Sequence, residues 1–185
     1  MKMKICFPVC MAILLLAACS SPKKDRQEEL RILMQDSIAK AGPQRMQVSD
    51  IKKTIAYKGK DYVSAVLRQP DESLPIVKNE QGEKFVDNRI TLRLTCGDRK
   101  VLDKAFTKES FASIVDASFL RHAILEGLVF DETTAQGFVY AASVCYPQTD
   151  LYIPIRITVS PDGSVTLAKD DILDETPTDA TEEQN

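Results

Sequence analysis

The chain carries one histidine, His122, and five cysteines, of which only Cys96 and Cys145 lie beyond the first 19 residues. A thiol activated by an imidazole would make a nucleophile, but the pair must meet in space, and no hydrolase motif surrounds either cysteine. His122 sits beside Leu120 and Ala123 in a stretch with helical spacing, where an isolated imidazole is usually structural or faces water. One histidine and two strand cysteines fall short of a zinc ligand set, so no metal or cofactor is expected. Asp162-x-Ser164 and Asp170-Asp171 lack the acidic ladder of a calcium loop. Asp131 and Glu132 close a strand, where adjacent carboxylates generally face water. The sequence contains no phosphate-binding glycine loop, no GxSxG and no HExxH.

Cys19 belongs to different chemistry. Lys2 and Lys4 form a short positive segment, and residues 5–18 are an apolar run broken only by Pro8. A run of this length is too short for a membrane-spanning helix, which needs about 20 apolar residues, but it suits the core of a secretory signal. It ends in Leu16-Ala17-Ala18-Cys19, which resembles the lipobox of bacterial lipoproteins. The resemblance implies a signal peptide over residues 1–18, cut between Ala18 and Cys19, with Cys19 acylated on its thiol and on its new amino terminus. Each buried methylene contributes roughly 0.8 kcal/mol, so several acyl chains, palmitate among them, would hold the protein at a membrane. The plainer alternative is an ordinary secretory signal cut at or after Ala18.

The residues after Cys19 bear on its destination. Ser20 stands where aspartate would, in enteric lipoproteins, imply retention in the inner membrane, so the resemblance points to the outer membrane. Bacteroides-type lipoproteins displayed at the surface carry an acidic tag at this place. Here Ser20-Ser21-Pro22-Lys23-Lys24-Asp25 is basic before it is acidic, which favours the periplasmic side over surface exposure.

Loss of Lys2 and Lys4 would take the net charge from −3 to −5. The deficit is concentrated at the end, since residues 170–185 hold seven acidic side chains and no basic one. Residues 174–185 are expected to be a disordered acidic tail, and the near-neutral remainder has no electrostatic footprint for nucleic acid. Residues 19–24 read as a lipidated tether and 25–173 as a single domain. Cys96 and Cys145 could close a loop of about 50 residues with a disulfide contributing roughly 4 kcal/mol. Alternatively each is a small buried hydrophobe in its own strand.

Residues 25–41 repeat Leu30, Leu33, Met34, Ile38 and Ala41 at helical spacing, and Gly42-Pro43 stops them. The pattern then becomes strand-like, with 46–48, a hairpin of 54–57 and 62–67 about a Lys58-Gly59-Lys60-Asp61 turn, and an exposed loop over 70–82. Residues 90–96 alternate, with Ile90, Leu92, Leu94 and Cys96 on one face, and Gly97-Asp98 turns the chain into 100–106. Thr107 is placed to cap a helix carrying Phe111, Ile114 and Val115, and a second short helix carries Phe119, Leu120, Ala123 and Ile124 up to Gly127. Strands follow over 128–131, 138–146, 151–159 and 164–168, the last two joined by a Ser160-Pro161-Asp162-Gly163 turn.

Short connections favour antiparallel pairing, so the expected class is α+β: an N-terminal helix packed on a mainly antiparallel sheet of about 6–8 strands, with two short helices inserted. Tyr57, Tyr62, Phe138, Tyr140 and Tyr152 fall in strands, where they form either core or an exposed binding face. In organisation the chain resembles the short, uncharacterised Bacteroides lipoproteins grouped as domains of unknown function. The resulting expectation is a lipid-anchored, non-enzymatic binding or envelope-assembly module contacting an envelope protein, a glycan or an apolar ligand. The alternative is a periplasmic hydrolase or thiol enzyme using Cys145 or His122.

Overall fold

The computed structural model describes residues 42–170. The expected signal peptide, tether, 25–41 helix and 174–185 tail lie outside the described residues.

Two neighbouring hairpins build the first sheet. β1 (Ser49–Tyr57) and β2 (Lys60–Pro70) are joined by Lys58-Gly59, whose φ angles of 50° and 70° are both positive. That is the type I′ geometry, which matches the twist of the strands it connects. β3 (Val77–Lys78) and β4 (Lys84–Phe85) form a small hairpin of their own. β5 (Asn88–Cys96) then pairs with β2 and turns through Gly97-Asp98 into β6 (Arg99–Phe106). The order is β1-β2-β5-β6.

A single 3-10 turn at Lys108–Phe111 and one six-residue helix, α1 (Ala117–His122), lead to the second sheet. This is a meander of β7 (Ile124–Thr134), β8 (Gly137–Cys145), β9 (Tyr152–Val159) and β10 (Val165–Lys169). The Ser160–Gly163 turn forms as expected. Asp162 Oδ1 accepts from the Ser160 hydroxyl and from the Ser164 amide at 3.0 Å.

The α+β expectation is therefore corrected. Among the described residues, 58% are in strands, in ten strands and three antiparallel sheets, so the class is mainly β. Three local competitions explain the difference. Around residue 110 the Ser110 hydroxyl accepts from the Thr107 amide at 3.1 Å, and the segment closes as one tight turn instead of a helix. Ala123 is already extended, and Ile124 to Gly127, read as the end of a helix, form the start of β7 because they pair with Ser143 to Cys145. In the supposed 70–82 loop, Val77 is buried against Phe85, Ile124 and Cys145, which makes a strand of it. Residues 46–48, read as a strand, run without strand pairing into β1.

Alternation gives each sheet one apolar face, and the two faces share a core. Ile90, Leu92 and Leu94 of β5 meet Phe138, Tyr140 and Val144 of β8 together with Ile155 and Ile157 of β9. The Tyr62 ring packs tilted on Phe138 with centroids 4.6 Å apart, and the Tyr140 hydroxyl donates to Ser64 at 3.0 Å, so contacts cross from sheet to sheet. Fully burying an apolar side chain of this size contributes about 1.5–3 kcal/mol, which makes these faces the main support of the fold. A smaller cluster of Val77, Phe85, Ile124 and Cys145 lies between the β3-β4 hairpin and the β7-β8 end of the second sheet.

Candidate functional site

Where β5 starts beside β7, the chain buries a charged pair. Asp87 and Lys108 are 1% and 5% exposed. Asp87 Oδ1 accepts from the amides of Asn88 at 2.7 Å and Leu125 at 2.9 Å, while Lys108 Nζ stands 3.6 Å from Oδ2 and donates to Ala123 O at 2.8 Å. Burial raises the Asp87 carboxyl above its ordinary value despite the two amides and the lysine, which oppose the shift. Asn88 Nδ2 donates to Leu125 O at 2.9 Å. These bonds tie the 3-10 turn and both sheets together at the end where the loops gather.

Two clefts open at that end. The first, about 200 Å³, lies over the smaller cluster and is lined by Met46, Phe85, Ile124, Glu126 and Cys145. Glu126 is the extra residue where the β7-β8 register slips between Leu125 and Gly127, a bulge that re-aims its carboxylate toward Ser143, whose hydroxyl donates to it at 3.0 Å. Burial first, and then the neighbouring Glu126 charge, pushes the Cys145 thiol up to about 12. Such a thiol stays protonated at neutral pH and is a poor nucleophile.

The second cleft, about 400 Å³, lies between the tip of the β3-β4 hairpin and the β8-β9 loop. It is lined by Tyr146, Pro147, Thr149, Leu151 and His122 together with Asn79 to Gln81. Tyr146 is held by Phe119, stacked at 4.5 Å, with the His122 ring edge-on at 6.1 Å. Asn79 bridges its own turn by donating to Glu83 at 2.7 Å and accepting from the Glu83 amide at 2.9 Å. The loop wall keeps an exposed apolar side chain, Leu151, at 53%. This size is within the range of small-molecule pockets.

The expected site residues are dispersed. Tyr57, Tyr62, Phe138 and Tyr140 are buried between the sheets and offer no surface, while Tyr152 is exposed beside Leu151. His122 is exposed and stands 3.4 Å by its Nδ1 from Lys78 O. Cys96 and Cys145 are both free thiols. Cys96 is at the Tyr62 end of the sheets and Cys145 seven residues beyond Phe138, roughly 23 Å at strand rise, far outside disulfide reach. Glu132 pairs with Arg156 at 3.5 Å, and Asp170 with the same arginine at 3.3 Å. Among the described residues no three acidic, histidine or cysteine side chains group as metal ligands. Ala18 and Cys19 lie outside the described residues. Pro147 after Tyr146 signals a strand break in the sequence but not a cleft wall, and the isolated Gly127 is the only signal there for the Glu126 bulge.

The described residues form a mainly β body of two four-stranded antiparallel sheets, with an apolar cleft among its loops. The chain belongs to the family described as Domain of unknown function (DUF4738), which matches residues 28–167. Among curated proteins none matches it.

Proposed function

We propose that the protein is a lipid-anchored envelope module that binds an apolar group in the His122–Tyr146 cleft. The observation that carries this reading is the cleft itself, where a stacked Tyr146, Pro147 and an exposed Leu151 face a turn braced by Asn79 and Glu83. Apolar surface held open by a rigid frame is favourable to cover, and each 100 Å² covered contributes about 2.5 kcal/mol. The anchor is supported by Leu16-Ala17-Ala18-Cys19, and Ser20 after it supports an outer-membrane position facing the periplasm, where an envelope protein, a glycan or an apolar ligand is within reach. Catalysis by Cys145 and His122 finds no support: the thiol is held protonated, and the two residues line different clefts.

The test uses a soluble body of residues 22–185, its fold checked by circular dichroism, and the neutral fluorophore N-phenyl-1-naphthylamine. Saturable, one-to-one fluorescence enhancement is expected, and Leu151→Asp should weaken it about tenfold by placing a charge on the apolar wall. Equal enhancement with and without the substitution, or none at all, would remove the cleft from the account.

A further inference from the structure

The outer edge of β1 makes no strand pairing among the described residues. Because Tyr57 and Lys60 flank a two-residue turn they form a hydrogen-bonded pair, so the odd-numbered residues of β1 bond to β2. The amides and carbonyls of Asp50, Lys52 and Thr54 therefore point away from the sheet, and among the described residues no turn or loop backbone bond uses them. Ile51, on the face shared with its partner Val66, is 50% exposed, above a slit of about 80 Å³ that Val66, Leu128 and Phe130 also line. Neither Asp50 nor Lys52 has an ion-pair partner among the described residues.

We propose that this edge pairs with the β1 edge of a second copy, antiparallel, about a two-fold axis at Ile51. A two-fold axis normal to the sheet keeps its faces aligned, so each residue must oppose one of its own parity. That leaves few registers. Centring on residue 50 sets Asp50 against itself, on 52 sets Lys52 against itself, and on 53 sets Lys53 against itself, each a like-charge pair directly opposed. Centring on Ile51 instead places Asp50 opposite the partner's Lys52, twice, and Lys53 opposite the partner's Ser49.

The backbone agrees with that register. Asp50 and Lys52 are the residues whose amides and carbonyls point outward, so each opposed pair exchanges two hydrogen bonds. The two Ile51 residues become a non-hydrogen-bonded pair, in which side chains approach most closely, and cover each other's exposed apolar surface. Lysines on an edge ordinarily deter pairing. Here, among the registers centred on residues 50 to 53, they favour the one that neutralises them.

The test is sedimentation of the full chain in detergent, with a charge-reversal series. The wild type should dimerise, while Asp50→Lys and Lys52→Asp singly should each weaken association about tenfold or more by turning both symmetric attractions into repulsions. The double variant Asp50→Lys/Lys52→Asp should restore it. In parallel, Ile51→Cys should form a reducible dimer on copper-phenanthroline oxidation, since opposed α-carbons about 4.5 Å apart fit a disulfide. Val63→Cys, exposed on β2 away from the edge, should not. A monomeric wild type, singles that still dimerise, a double variant that stays monomeric, or equal cross-linking at Val63 would each overturn the proposal.

Discussion

Lys108→Met is expected to lower unfolding stability by about 3–5 kcal/mol, because it leaves the Asp87 carboxylate buried without its cation. The Lys108 bond to Ala123 O is lost as well, so the start of β7 loses its tie to the 3-10 turn. The pair as a whole contributes much less than either half's removal costs, since both charges paid for desolvation on folding. Asp87→Asn/Lys108→Met should therefore recover most of the loss, with the asparagine keeping an oxygen for the Asn88 and Leu125 amides. Thermal melts of the three proteins check this. For a chain of this length the single variant should fall by roughly 10 °C. A double variant no more stable than the single would show that the lysine acts through packing and not through its charge.

The second large effect is at Gly137, which opens β8. Its φ is 146°, and a Cβ there would stand 2.2 Å from Val159 O and 2.9 Å from Ser160 Cα, both backbone atoms of the neighbouring strand end. Neither can move without breaking the β8-β9 pairing, so Gly137→Ala should cost about 3 kcal/mol or more. Gly127 is the matched control. Its nearest neighbour is the Ser143 hydroxyl at 4.0 Å, and Gly127→Ala should stay within about 1 kcal/mol. Urea midpoints for the two variants compare them directly, and equal effects would contradict the close-approach argument.

The hairpins were legible where their turns are local. Lys58-Gly59, Gly97-Asp98 and Ser160–Gly163 each specify a turn through a few residues, and the strands beside them alternate in the sequence as they do in the sheet. The middle of the chain was harder to read because its apolar residues fit a helical period while their partners lie far away. Ile124 is fixed as strand by pairing with Cys145, which no local pattern announces. Val77 was passed over because a two-residue strand has no period to detect.

The candidate site was less visible still. Lys108 reads as a surface lysine, and only tertiary structure shows its ammonium buried beside Asp87. Tyr57, Tyr62, Phe138 and Tyr140, four of the five aromatic residues expected on a binding face, are in the core because the inward face of each sheet needs large side chains, and only Tyr152 of the five is exposed. The cleft is instead built from Tyr146, Pro147 and Leu151, which the sequence shows only as the end of one strand, the break after it and the start of the next.

The proposed role rests first on attachment to a membrane, and the mass of the protein's amino-terminal peptide tests that most directly. Wild-type protein extracted from membranes should begin at Cys19, carry acyl chains on it, and remain membrane-bound in high salt, because acyl burial is hydrophobic and salt does not weaken it. Cys19→Ala should abolish the modification and leave an uncleaved or misprocessed precursor. An unmodified terminus at or after Cys19, on protein found mainly in the soluble fraction, would contradict the anchor and the envelope role built on it.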